Sequence, residues 1–374
     1  MSFQPFVMER WQSTWENRVR YNISESGVDP MTSAELLAMA GGAGSPLDLP
    51  LGYPQSNGTD PLRTAIAALY PGATPAQVLV TSGSAEANYI NCWRLVQPGD
   101  RVAIVTPTYM QTWGLAKTFG ADVRTIPLRE TLGWQPEPAD IDAAITPGTK
   151  LVVVTNPNNP TGAVLKPELM DRLAARADYA GAWLLADEVY QGSERVGPVT
   201  PTFWGKSKKV IIVNGLSKAY GLPGLRIGWS VAPADHVEEL WSRKDYTTIG
   251  PTVMSDALAR LAVQPAVRSK IFERTRAIIR SNWALVEKWL TAHQEEFSWR
   301  APDAGAIVWA KYRSDIPSAE LAEMLRVTHD VLLVPGDQFA MEGYIRIGFG
   351  SPPKDLLPAL ERVALAFREV GAAR

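Results

Sequence analysis

The chain alternates between short, uniformly apolar runs and longer stretches in which apolar residues recur every three or four positions. Runs of the first kind stand at 78–81 (VLVT), 101–105 (RVAIV), 122–126 (DVRTI), 150–155 (KLVVVT), 183–186 (WLLA) and 210–213 (VIIV). They are short and rich in valine and isoleucine, which predicts strands, most of them covered on both faces. Between them, helical spacing predicts helices up to about 96, from about 110, over 138–146 and over 166–179. Strands and helices in alternation predict an α/β layer structure with a mostly parallel sheet.

The flanks read differently. Phe6, Val7, Trp11, Trp15 and Val19 predict an amphipathic helix within 5–20, packing onto the body or closing over a site. An extended segment over 21–30 and a helix over 32–39 follow. Gly41-Gly42-Ala43-Gly44-Ser45-Pro46 predicts a flexible link. A helix then starts near Pro61, with Leu62, Ile66 and Leu69 on one face. Beyond 230 the pattern is mostly helical: 234–245, 252–263, a long helix over 265–293, 318–328 and 354–370. Strand-like runs at 307–310, 331–334 and 344–347 predict a second, smaller sheet. The expected division is therefore a large unit over 46–275 and a small one over 276–374, with residues 1–45 belonging to the small one.

Composition narrows the class. The 374 residues are 46% hydrophobic and 20% charged, as expected for a globular chain with a sizeable core. Thirty-seven lysines and arginines against 39 aspartates and glutamates leave a net charge of −2, no footprint for nucleic acid or an anionic membrane. The single cysteine, Cys92, cannot form an intrachain disulfide, and three scattered histidines offer no metal-site spacing. No apolar run approaches the ~20 residues of a membrane span, and the N-terminus has no secretory pattern. A cytoplasmic enzyme without a metal is the expectation.

The chemistry gathers at the ends of the predicted strands. Val80-Thr81 runs into Ser82-Gly83-Ser84-Ala85, a small-residue turn entering a helix, where free amides and the helix dipole favour an anion. Tyr109 follows the next strand. Asn159 stands in Asn156-Pro157-Asn158-Asn159-Pro160-Thr161-Gly162, a loop stiffened by two prolines. Asp187 and Tyr190 follow the strand at 183–186, and Ser217-Lys218 the strand at 210–213, with Arg226 in glycine-rich sequence eight positions on. In open α/β sheets, ligands bind at carboxyl ends of strands. Burial of Lys218 there would lower its pKa and favour the neutral amine that forms Schiff bases. Arg346, flanked by Ile345 and Ile347, should meet a carboxylate.

Together NNPTG, ADEVY and LSKAYGLPGLRIGW, in this order, resemble the class I/II aminotransferases, enzymes of fold type I that use pyridoxal 5′-phosphate (PLP). The resemblance implies a large domain with a mostly parallel sheet of seven strands between helices, a smaller α+β domain, and a homodimer with shared sites. It implies that Lys218 forms the Schiff base and moves the Cα proton, that Asp187 pairs with the ring nitrogen, and that Tyr190 and Asn159 bond the ring's phenolic oxygen. Tyr109 would stack on the ring. Ser84, the backbone of Ala85, Ser217 and Arg226 would hold the phosphate, with Tyr53 reaching the phosphate of a second copy. Arg346, beside the Gly27 segment, would bind the substrate carboxylate, and Asn159 would also face substrate.

The implied reaction is transfer of the α-amino group of an L-amino acid to a 2-oxo acid. The segments Ile23–Val28, Ser217–Trp229 and 244–248 are also similar to the capreomycidine-synthase branch, whose members cyclise a hydroxylated arginine. Against that branch, Glu188-Val189-Tyr190 keeps the ordinary aminotransferase form. A regulator built on the same fold would carry a DNA-binding domain, and only about 45 residues precede the core, with no basic helix-turn-helix. For the substrate side chain, Trp15, Tyr21 and Trp113 are candidates for an aromatic pocket, and Glu9 or Glu16 for meeting a basic group.

Overall fold

A computed structural model describes residues 3–42 and 48–372, with side chains to residue 370. Its large sheet has the strand order Val78–Thr81, Gly228–Val231, Val210–Gly215, Trp183–Asp187, Thr149–Thr155, Arg101–Thr106, Asp122–Arg129 and Gln135–Pro136. Five central strands, from Val210–Gly215 to Asp122–Arg129, pair in parallel. Gly228–Val231 is antiparallel to both its neighbours, which turns Val78–Thr81 back into the common direction. The expected seven strands are thus present, with a two-residue eighth at the edge, antiparallel to Asp122–Arg129. The strand Val210–Gly215 is buried throughout and Leu151–Thr155 likewise, as their apolar runs require, whereas Asp122–Arg129 near the sheet edge is largely exposed in its first half. The strand Gly228–Val231 was not expected from the sequence: two of its four residues are glycine and serine.

The smaller sheet runs Phe297–Trp299, Ile307–Tyr312, Tyr344–Gly348, Val334–Pro335, all antiparallel. The apolar run at 331–334, read as one strand, divides between two sheets. Val331–Leu332 pairs in parallel with Tyr21–Asn22, and Val334–Pro335 pairs with Tyr344–Gly348.

The N-terminal helix is shorter than the pattern suggested, Val7–Trp15. It spans two apolar clusters: Met8 is buried in the large one, and Trp11 packs on the small one while its indole N–H donates to Leu333 O at 2.9 Å. The long helix Pro265–Ala292 also spans both, with Val267 and Ile271 in the large cluster and Ile279, Trp283, Val286 and Leu290 in the small one. Tyr21, Ile23 and Val28 join the small cluster, whereas Met31 and Leu36 join the large one. The boundary expected at 45/46 and all of the glycine-rich link beyond Gly42 lie outside the described residues; Gly41 and Gly42 both have positive φ, 80° and 75°. No helix among the described residues is long and apolar enough to cross a membrane.

Candidate active site

The strand directions carry the carboxyl ends of Val78–Thr81, Val210–Gly215, Trp183–Asp187, Thr149–Thr155 and Arg101–Thr106 to one edge of the sheet. At that edge lies a cavity of about 400 Å³ lined by Ser84, Ala85, Tyr109, Asn159, Asp187, Tyr190, Ser217, Lys218, Arg226 and Arg346. Ten of the twelve residues singled out from sequence therefore face one space. Gly27 lies at its rim: a Cβ added there would sit 3.8 Å from Lys218 Cδ. Tyr53 does not face it. It is 94% exposed and lines a separate apolar groove with Leu51, Pro54, Thr248 and residues 250–254.

One end of the cavity is built for an anion. Helix Ser84–Leu95 starts there with Gly83 as its N-cap and no side-chain cap, so its first amides are left for another acceptor. Gly83 has φ +78°, and a Cβ on it would stand 2.6 Å from Arg226 Nη2. A Cβ on Gly228 would stand 2.3 Å from the Ser84 backbone nitrogen. Any side chain at either glycine would fill this cradle. Arg226, held at φ 50° after the short 3-10 turn Pro223–Leu225, aims its guanidinium at it.

The floor carries two adjacent carboxyls. Asp187 is buried, which pushes it up to about 6 against hydrogen bonds from Asn88 Nδ2 (3.1 Å) and the Val189 N–H (3.3 Å) and the nearby Lys218 charge. Glu188 points away from the cavity and takes the Phe203 N–H (2.7 Å) and the Thr202 hydroxyl; burial pushes it up to about 8.

The Asn156–Gly162 loop is fixed by its own side chains. Asn158 donates to Pro107 O (3.1 Å) and accepts from the Thr161 N–H and hydroxyl; Asn156 accepts from the Leu165 N–H. Asn159 is left to meet Arg346, whose Nη1 donates to its Oδ1 at 2.9 Å. Arg346 Nη2 donates to Ser24 O at 2.5 Å. Arg346 is 1% exposed and its Nε has no hydrogen-bond partner among the described residues. The carboxylate expected beside it is not supplied by the protein: two carbonyl-type oxygens stand there. The Tyr190 hydroxyl donates to Ser26 Oγ at 2.8 Å.

Lys218 departs from expectation. Burial pulls its pKa down, but Glu25 and Tyr190 outweigh it, so the ammonium is held above the ordinary lysine range. Glu25 Oε2 lies 3.6 Å from Lys218 Nζ and is itself held below the usual carboxylate range, chiefly by that lysine. Glu25 and Asn88 were missed in the sequence. Asn88 stands four positions after Ser84, one helical turn on the same face, a spacing that points both at the same site.

Residues of the N-terminal helix and its C-cap line the cavity, while Met8 and Trp11 pack the helix onto the body. Glu9, Gln12 and Glu16, at spacings of three and four, line it together. Glu9 accepts from the Tyr109 hydroxyl (3.1 Å), and Gln12 Nε2 donates to Ser24 O (2.9 Å). The aromatic candidates lie elsewhere. Trp15 carries the Arg326 guanidinium 3.8 Å from its ring centre, Tyr21 lies under Arg20 and Arg362, and Trp113 packs against a third apolar cluster, which includes Ile90, Val102 and Ala116.

Comparison with known proteins agrees with this geometry. Residues 50–363 match the family described as aminotransferase class I and II. The chain is 34% identical to the capreomycidine synthase of Streptomyces vinaceus over 97% of its own length and 92% of that protein. Among solved structures it is similar to a PLP-dependent aminotransferase from Streptococcus suis, with 33% identity, a TM-score of 0.91 and 99% of each chain covered. It is also similar to the PLP-dependent cyclase OrfR, with 29% identity, a TM-score of 0.90, and 99% of this chain and 98% of that one covered. With its anion cradle, buried aspartate and lysine at the ends of parallel strands, the chain belongs to the class I and II aminotransferases, PLP-dependent enzymes of fold type I.

Proposed function

We propose that the protein transfers the α-amino group of an L-amino acid to a 2-oxo acid. The observation that carries this reading is that Lys218, Asp187 and the buried Arg346 line one cavity. PLP, when bound, acts as an electron sink for the bonds at the substrate Cα. The residues present fit it. The amides and hydroxyl of Ser84, the Ala85 backbone, Ser217 and Arg226 would hold its phosphate. Asp187 would keep the ring nitrogen protonated, Tyr109 would cover one face of the ring, and Tyr190 and Asn159 would bond the phenolic oxygen. Lys218 would carry the cofactor and then, released as an amine, move the proton at Cα. Arg346 would take the substrate carboxylate by a bidentate contact, using the buried Nε that has no other partner. Asn159, already bonded to Arg346, would orient it, and Gly27 would leave room beside Lys218.

The protein would work as a homodimer, with Tyr53 reaching the phosphate of a second copy. Its exposure beside Leu51 (81% exposed) in an apolar groove supports that reading. Residues 46–275 would form the cofactor-binding unit and 276–374, with the N-terminal segment, the smaller one; most of the small apolar cluster comes from the latter, although Met8, Met31, Leu36, Trp309 and Tyr344 pack in the large one.

A second reading rests on Glu25. A carboxylate 3.6 Å from the catalytic amine is a further acid–base group beyond the set that transamination needs. It favours chemistry past Cα, of the capreomycidine-synthase type, on a modified arginine or a similar amino acid. Nitrogen-15 labelling separates the two. With a labelled L-amino acid and an unlabelled 2-oxo acid, transamination moves the label into the amino acid formed from the acceptor. Label found only in a product built from the donor would sink the first reading and support the second.

A further inference from the structure

Three of the groups assigned above to the cofactor stand on separate elements. The Ala85 backbone lies in the first turn of Ser84–Leu95, Tyr109 stands two positions before the start of the helix Gln111–Thr118, and Asp187 ends the strand Trp183–Asp187. Two side-chain amides join these elements. Gln111 Nε2 donates to Ala85 O at 2.9 Å. Asn88 Nδ2 donates to Gln111 Oε1 at 3.3 Å and to Asp187 Oδ2 at 3.1 Å. Asn88 is the one side-chain donor to Asp187 among the described residues; the Val189 N–H reaches the other carboxylate oxygen at 3.3 Å. Neither amide lines the cavity, and Asn88 is 1% exposed.

The direction of this relay is fixed from its backbone end. Gln111 turned over would set its Oε1 against the Ala85 carbonyl. Asn88 turned over would set its Oδ1 against both Gln111 Oε1 and the Asp187 carboxylate. The relay therefore ends in an N–H on Asp187, and a donor there favours the ionised carboxyl. This arrangement leaves Asn88 Oδ1 buried with no partner among the described residues. An apolar side chain of the same size would not carry that desolvation cost. Burial pushes the Asp187 carboxyl up, and the Asn88 hydrogen bond is the largest effect opposing it.

We propose that Asn88, oriented by Gln111, is a positioning residue that decides which partner holds the proton shared by Asp187 and the ring nitrogen of PLP. The inference rests on the reading above for the pairing of Asp187 with the ring. With the Asn88 donor in place, the carboxylate stays ionised and the nitrogen keeps the proton. Without it the proton crosses: the N–H bond breaks, an O–H bond forms on Asp187, and both partners become neutral with the total charge unchanged. A neutral ring draws electrons from Cα less strongly. The chemical step then slows, while the contact of Arg346 with the substrate carboxylate is unchanged.

The test loads the protein with PLP labelled with nitrogen-15 in its ring and reads the ring-nitrogen resonance at neutral pH, which reports the proton directly. Asp187→Ala supplies the unprotonated reference. The wild type should give the protonated signal. Asn88→Leu, similar in size but without a donor, should be displaced toward the reference, and Gln111→Met displaced less in the same direction. Cofactor absorbance is followed in parallel with L-alanine, L-aspartate and L-arginine. For whichever the wild type takes fastest, the rate at saturation should fall at least about tenfold in Asn88→Leu, with the half-saturating concentration changed less than about twofold. A residue that only packs would lower stability or speed PLP release and leave the resonance in place. A wild-type resonance in Asn88→Leu therefore overturns this inference and leaves the proposed function standing. If that variant does not hold PLP, a wild-type resonance in Gln111→Met overturns it instead. A wild type already at the reference signal overturns this inference and the Asp187 pairing together. A wild type with a protonated ring that responds to none of the three amino acids counts against the proposed function alone, and the resonances still decide this inference.

Discussion

Two neighbouring carboxyls show how the same strand end serves chemistry and stability. Asp187 enters the cavity and Glu188 turns into the core, where burial pushes it from an ordinary 4.5 to about 8. A carboxyl whose pKa is raised by folding favours the protonated form. Its stabilising effect is complete below about 4.5 and is lost progressively as pH rises through about 8. Glu188→Gln keeps the shape without the titration. The variant should therefore have a flatter curve of Tm against pH than the wild type between those values, and should gain relative stability at the alkaline end. An unchanged slope would show that Glu188 is not the group responsible. At this scale the sequence was most informative where a residue's chemistry is itself rare. Lysine, aspartate and arginine at strand ends stood out, whereas Asn88, one of two asparagines on the helix Ser84–Leu95, did not. The charge state of Lys218 was misjudged because it depends on Glu25, a residue almost 200 positions away that only the fold brings near.

At the scale of elements, the anion cradle is held by a buried clamp. Glu86, in the first turn of Ser84–Leu95, accepts from the Ser82 N–H (2.6 Å), from the Thr247 hydroxyl and from the Thr248 hydroxyl (2.8 Å). Lys244, with a fully buried side chain, lies 3.7 Å from it and donates to Thr248 Oγ1 at 2.9 Å. The clamp ties the turn over 82–84 to the 244–250 segment, which leads into the groove that holds Tyr53. Removing one partner of a buried pair strands the other charge, at a cost of about 3–5 kcal/mol. Glu86→Ala should lose stability on that order in denaturant unfolding and release PLP at least about tenfold faster. Unchanged release with lowered stability would confine the clamp to a structural role. Element positions were legible wherever one period dominated, as in the central strands and the long helix. They were not legible where tertiary pairing decides. Gly228–Val231 is a strand only because two neighbours bracket it, and the apolar run at 331–334 is split by two different partners.

For the whole molecule, order and spacing of motifs made the architecture readable, because a sheet with all its functional loops at one edge leaves few alternative ways to assemble them. The association of chains is less legible, since an exposed apolar residue in one chain has no visible partner in its sequence. The account predicts a dimer by light scattering at micromolar concentration. It also predicts weaker PLP retention in Tyr53→Phe, about three- to tenfold, from loss of one hydrogen bond to phosphate. A monomer that retains PLP as tightly as the dimer would contradict the shared site.

The central claim is that Lys218 drives amino-group transfer in the cavity it shares with Asp187 and Arg346. The most direct test is to add one L-amino acid to the purified, PLP-loaded protein without any 2-oxo acid, and to follow cofactor absorbance and products together. The account predicts that the absorbance is bleached in step with one equivalent of 2-oxo acid, that a 2-oxo acid added later restores it, and that Lys218→Ala does neither. Product formed over many turnovers with no acceptor, or a Lys218→Ala enzyme as active as the wild type, would contradict it.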